Sequence, residues 1–430
     1  MKFKYFLKKN IVKYQELLNY QELLLLLWIF LSVLILLFQF RNAGIHDVGV
    51  YIDTGKAVLS QNNPYLIGSR WGTFGPVVIA ILSSVFPADI RANIFQLLSF
   101  AGIYFFYRTL FPMLEKTEKY LIFMVVIWLS PIRELLSTNQ ATGIVMGIMA
   151  IGIKLSNSTT LSRFISGLFF AIALDLKPHL FGVFFIVWIV INKRKITFLS
   201  TLAYLLATHL LIDFSQRRIL ELDWYKTIGK LSHDASESKL GDSLSFWPIL
   251  NNYLHAESIL FFASMALTLI TTVICVYLGL KNKFLDSYLL SFIVPSLSIY
   301  FHFYDIIPLC IIFAICIIKS RNSIVTISFL AFLLIPIEYL SIRNNILVFL
   351  IVGIVLYFKT RTNSQAEKIK IFCFGGISIF LTLCIHLFNT KLHLSDHLLQ
   401  SLMVTECICF ISITYILSRK QFQSFPQFSI

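Results

Sequence analysis

The chain has 430 residues, 57% of them hydrophobic and only 13% charged, with a mean hydropathy of +0.78. Soluble domains carry roughly 25% charge, so this composition excludes a soluble protein of such length. The formal net charge of +14 does not indicate nucleic acid, because Lys and Arg come in small groups between apolar runs, which is how topology signals are arranged.

The N-terminus joins a basic start (Lys2, Lys4, Lys8, Lys9 and Lys13) to an apolar run from 21 to 40, with no small-residue cleavage site after Phe40. It reads as a cytoplasmic tail, residues 1–20, followed by an uncleaved anchor. Further apolar runs lie near 92–110, 119–132, 141–155, 164–176, 180–192 and 196–213, then near 258–280, 284–301, 306–318, 323–341, 345–358, 371–388 and 399–417. The predicted fold is therefore an all-α polytopic membrane bundle of about 12–14 transmembrane helices, the shorter runs extending into their flanks or being partly re-entrant.

The run 74–86, bounded by Pro76 and Pro87, decides the topology, since counting it as a span reverses every later loop. At roughly 13 residues it is short for a span and reads as an interfacial or re-entrant helix in a first outer loop, 41–91. The positive-inside rule supports this. The cytoplasmic loops then hold Lys116, Lys119, Lys154, Arg163, Lys193, Arg194, Lys195, Lys281 and Lys283 among others, while the short outer loops keep only Arg133, Lys177, Arg343 and Lys391. Both termini fall inside, 214–257 becomes a large outer loop, and 321–430 supplies additional helices behind a core of 21–320. The seven cysteines lie in or beside predicted spans, so neither a disulfide framework nor a thiolate metal site is expected, and no Gly-rich phosphate loop is present.

This sidedness gathers Asp47, Arg133, Glu134, Asn139, Gln140, Lys177, His179, His302 and Asp305 on the outer side. Asp47 opens a helix-like segment, Val48 to Leu59, whose apolar positions Val48, Tyr51, Ile52, Val58 and Leu59 fall near one face. It is either an N-cap or a general base able to take a proton from an attacking hydroxyl. Asp53 points elsewhere on that helix and reads as solvated. The string NNPY, Asn62 to Tyr65, is a turn. In SPIRELLSTNQATG, Ser130 to Gly143, Arg133 and Glu134 form either an interfacial salt pair or substrate contacts, and Gln140 bonds a sugar hydroxyl or caps the next helix. LDLKPHLFG, Leu174 to Gly182, places Asp175, Lys177 and His179 at a helix end, where charge is costly; Lys177 either snorkels or meets an anion. His302 and Asp305 share a helix face at three-residue spacing, as a satisfied pair or as ligand contacts, and two residues are too few for zinc.

The order Asp47, Tyr51, NNPY, then Phe74, Gly75 and Pro76 resembles the first external loop of glycosyltransferase family 87, membrane mannosyltransferases of the GT-C superfamily. The proline with Gln140, the Lys177-Pro178-x string and the His302-x-x-Asp305 string resemble later motifs of that family; Asp242-Ser243-Leu244 matches its Asn-Ser-Leu-like string loosely. Two departures stand out: Phe74-Gly75-Pro76 replaces a tyrosine-proline pair, and Asn139 replaces a glycine. The resemblance covers about residues 20 to 320. It implies a GT-C-like bundle and an inverting transfer of a hexose, most often mannose, from a polyprenyl-phosphate donor to a lipid or glycan acceptor outside the cytoplasmic membrane. It implies neither a metal nor a nucleotide-sugar cofactor. By that resemblance Asp47 is the catalytic base, and Lys177 and His179 meet the donor phosphate. His302, Asp305, Arg133, Gln140, Tyr51 and Tyr65 contact donor or acceptor.

Two rivals remain open on the sequence. A lipid or sugar transporter would show two related halves and ionisable groups near mid-span, and neither is visible. Another GT-C enzyme would share Asp47 and differ in its acceptor.

Overall fold

The computed structural model describes residues 23, 25–38, 46–67, 72–127, 129–217, 220, 257–297, 303–319 and 408. The predicted tail 1–20, His302, most of the loop 214–257 and nearly all of 321–430 lie outside the described residues.

Among the described residues the chain is helical throughout, with no strand. An apolar helix α1 (Leu25–Phe38) precedes the packed pair α2 (His46–Leu59) and α3 (Phe74–Ser84), with a 3-10 turn at Pro64–Ile67 between them in the chain. Then come α4 (Ala88–Leu110), α5 (Lys116–Ile127), α6 (Ser130–Ser137), α7 (Thr142–Ser156), α8 (Thr160–Leu176), α9 (Pro178–Asn192) and α10 (Lys195–Gln216). Last are α11 (Glu257–Leu280), α12 (Phe284–Ile293) and α13 (Ile307–Lys319), with 3-10 turns at Val294–Leu297 and Phe303–Ile306.

Two runs are divided differently from the sequence reading, each at a proline, and one residue changes face. The run 119–132 is not continuous: α5 stops at Ile127, Leu129 is extended, and α6 restarts with Pro131 in its first turn. Proline suits that position, and its missing N–H cannot extend the hydrogen-bond ladder of α5 across it. The run 284–301 tightens into a 3-10 turn around Pro295. Finally, Leu59 leaves the predicted apolar face of α2 and is 57% exposed, whereas Val48, Tyr51, Ile52 and Val58 are buried as the pattern requires.

Small residues set the closest helix contacts. A Cβ on Gly102 of α4 would stand 2.0 Å from Gly143 O of α7, so these two backbones touch. The same holds for α8 and α10, where a Cβ on Gly167 would meet Ser200 Oγ at 2.1 Å, and for α2 and α3, where one on Gly55 would meet Pro76 O at 2.2 Å. Such contacts are the usual currency of helix association in lipid, where apolar burial gives no drive. Between α4, α9 and α12 the space is filled by Phe106, Phe181, Phe184 and Phe292, with Phe184 stacked on Phe292 at 4.8 Å.

The burial pattern of α10 is inverted relative to a soluble helix. It buries Thr197, Ser200, Thr201 and Gln216 while exposing Leu199, Leu202, Leu206, Leu210, Leu211 and Phe214. α11 likewise hides Ser264, Thr271 and Cys275 and exposes Ile259, Phe262, Met265, Leu269 and Ile270. Both contain apolar stretches long enough to cross a bilayer. Water would oppose such a surface and hydrocarbon accepts it, so this is an all-α membrane protein.

Candidate active site

Short turns between α7 and α10 bring alternate helix ends together. One end holds Arg163 and Arg194, which donate to Ser156 O and Asn157 Oδ1 on the α7–α8 turn. The polar chemistry lies at the opposite end.

Its hub is Asp305, buried on the 3-10 turn before α13. Lys177 is the single residue between α8 and α9, and its Nζ donates to Asp305 Oδ1 at 3.0 Å. Thr142, the first residue of α7, donates to the same oxygen at 3.3 Å, and His179 Nε2 lies 3.4 Å from Oδ2. Pro178 explains why Lys177 breaks the helix: the residue before proline is pushed out of the α region, and Lys177 has φ −143° and ψ 68°. The corner thus aims a buried ammonium at a buried carboxylate, which satisfies both charges.

The turn that feeds Thr142 is shaped by Asn139, in the left-handed region at φ 51°. Asn139 Nδ2 donates to Ala92 O of α4 at 3.3 Å, and Gln96 Nε2 donates to Leu136 O at 3.1 Å. Asparagine tolerates a left-handed φ better than other side-chain-bearing residues, so it can occupy a position where glycine is the usual choice. Gln140 follows it, buried at the same turn. Val48 N–H donates to Asn139 O at 3.2 Å, which ties the start of α2 to this turn. Asp47 therefore sits, by its backbone, in the first described turn of α2, beside the turn that leads to Thr142 and Asp305. The side chains of Asp47 and Arg133 are outside what the structure describes; Arg133 belongs to α6, which packs on the 303–306 turn.

Tyr51 and Tyr65 are both buried. Tyr65 closes the NNPY turn by donating its backbone N–H to Asn63 Oδ1 at 3.0 Å. Gln216, at the end of α10, donates to Val58 O at 2.7 Å and holds the far end of α2. Asp53 is exposed.

A second polar cluster adjoins the first. Asp175, two residues before Lys177, accepts from Gly75 N at 2.6 Å through Oδ2 and lies 2.8 Å from His209 Nε2 through Oδ1. Sequence reading singled out neither Thr142 nor His209. The available signal was His209 itself, one imidazole in the apolar run LLATHLLID, since a polar ring in a membrane helix requires a partner. Among the described residues, no three of His, Cys, Asp and Glu converge as a metal-holding group.

The model of glycosyltransferase family 87 matches residues 72–294, more than half of the chain. The match includes Gln140, Arg133, Lys177 and His179, and it begins after Asp47 and ends before Asp305. No curated protein and no solved structure matches the chain.

Proposed function

Because the chain belongs to glycosyltransferase family 87, we propose that this membrane glycosyltransferase moves a hexose, mannose in the first instance, from a polyprenyl-phosphate donor to a lipid or glycan acceptor outside the cytoplasmic membrane. The observation that carries this reading is the meeting of Lys177, Thr142, His179 and Asp305 at the helix end where Val48 is bonded to Asn139.

In this reading the acceptor hydroxyl oxygen forms a bond to the anomeric carbon while Asp47 takes its proton. The bond from that carbon to the donor phosphate breaks, and the phosphate leaves with the electron pair as polyprenyl phosphate. Base and leaving group lie on opposite faces of the sugar, so the anomeric configuration inverts. Lys177 stabilises the charge growing on the phosphate, with His179 and His302 bonding its oxygens. Asp305 keeps the ammonium in place. Arg133, Gln140, Tyr51 and Tyr65 contact donor or acceptor, and the loop 214–257 meets the head group. The core is 21–320, between a cytoplasmic tail and the additional helices 321–430, with several spans and both termini inside. The basic turns at 154–163, 193–195 and 281–283, at the end away from Asp305, support that sidedness.

The test uses reconstituted membranes supplied with labelled polyprenyl-phosphate hexose and a membrane extract as acceptor source. Asp47→Asn is expected to retain less than a few per cent of turnover, on the order of the loss of a general base. Substantial turnover in that variant rejects the assignment.

A further inference from the structure

We propose that Asp175, paired with His209, is a positioning residue for the transfer: it latches the start of α3 to the α8–α9 corner and thereby sets the spacing between Asp47 and Lys177. The inference rests on the reading that these two residues act on one substrate.

The geometry is closed on every side. The Asp175 carboxylate is almost fully buried, and its oxygens reach Gly75 N at 2.6 Å and His209 Nε2 at 2.8 Å, so one side chain on α8 binds α3 and α10 together. An ionised carboxylate so placed is costly unless its oxygens are filled, and here both are. The approach depends on two missing side chains. A Cβ on Gly72 would stand 1.9 Å from Asp175 Oδ1, and one on Gly75 would stand 2.5 Å from Leu176 Cγ. From Gly75 the path to Asp47 has no slack, because the next residue, Pro76, presents its carbonyl to Gly55 of α2 at a distance that excludes any Cβ. Gly55 and Asp47 belong to the same helix, about 12 Å apart along its axis. On the other side Asp175 is two residues from Lys177. Rigid pieces thus connect the proposed base to the proposed cation, and the Asp175 carboxylate is the joint made by a side chain.

Neither Asp175 nor His209 touches a reacting atom in this proposal, so the effect falls on alignment. A misplacement of about 1 Å costs on the order of 100-fold in rate. Turnover and KM for labelled polyprenyl-phosphate hexose are to be measured with Asp175→Ala, Asp175→Asn, Gly72→Val, His209→Gln, His209→Ala and Asp53→Asn in proteoliposomes. Asp175→Ala and Gly72→Val are expected to lower kcat by about 30- to 100-fold with KM nearly unchanged, the mark of an interaction felt in the transition state. Asp175→Asn keeps an acceptor for Gly75 N–H and is expected within about tenfold of the parent, and His209→Gln, which keeps a donor, is expected above His209→Ala. Asp53→Asn is expected to match the parent. If Asp175→Ala or Gly72→Val fails to fold, His209→Gln above His209→Ala, with Asp175→Asn within about tenfold of the parent, carries the test. Parental kcat in Asp175→Ala or Gly72→Val, a change confined to KM, or no grading between conservative and truncating variants overturns the latch. Asp47→Asn is run in the same preparation: an active Asp47→Asn defeats the functional reading, whereas an inactive one beside a fully active Asp175→Ala defeats the latch alone.

Discussion

Lys177 and Asp305 are 128 positions apart in the chain, yet their Nζ and Oδ1 stand 3.0 Å apart with both side chains sealed from solvent. The contact joins the α8–α9 corner to the turn before α13 and fixes where a positive charge can sit.

Asp305→Ala leaves that ammonium buried without its carboxylate, a change that costs about 3–5 kcal/mol when a buried pair is broken from one side. The double variant Lys177→Met/Asp305→Leu is expected to regain most of the lost thermal stability and none of the turnover. Unfolding in detergent and turnover in proteoliposomes separate the two effects; recovery of turnover in the double variant counts against an electrostatic role for Lys177.

Asn139 holds a left-handed φ of 51° and bonds the turn to Ala92. Asn139→Gly is expected to keep at least about half of the turnover, since glycine adopts this conformation freely. Asn139→Val forces a β-branched residue into it at a cost of about 1–3 kcal/mol and is expected to lower both melting temperature and turnover. Equal behaviour of the two variants rejects the backbone argument.

The crossing of α4 and α7 admits no atom at Gly102. Gly102→Val is expected to destabilise by at least about 1–3 kcal/mol, as overpacking does, without a specific effect on KM. The measurement is the midpoint of thermal unfolding, and an unchanged midpoint contradicts the close contact.

Ser60 and Asn282 are exposed, the first at the end of α2 and the second on the α11–α12 turn. With an impermeant thiol reagent on intact cells, Ser60→Cys is expected to react and Asn282→Cys to react only after permeabilisation. The reverse pattern inverts the proposed sidedness.

The all-α membrane class was legible in the apolar runs, and the family in a series of ordered strings of which Gln140 and Lys177-Pro178 fall within the matched residues. Proline explains what was misread: Pro131 and Pro295 cut runs whose hydropathy is continuous, and hydropathy alone does not register a missing N–H. The Lys177–Asp305 and Asp175–His209 pairs were not legible as pairs. Their partners are far apart in the chain, and a period of 3.6 residues says which face a residue occupies, not which distant helix meets it. Asn139 stands where the family pattern has a glycine, and its left-handed φ is a conformation that glycine adopts freely.

His209 meets Asp175 seven residues before α10 ends at Gln216, about 10 Å down the helix axis, among Leu206, Leu210 and Leu211 on the outward face. The Asp175–His209 pair thus lies about two helical turns in from the end of α10, level with its exposed leucines. In the proposed reading, a carrier whose tail stays dissolved among acyl chains brings its charged tip to the neighbouring Lys177 corner by sideways diffusion. A water-borne molecule must instead be lowered against the bilayer's exclusion of charge.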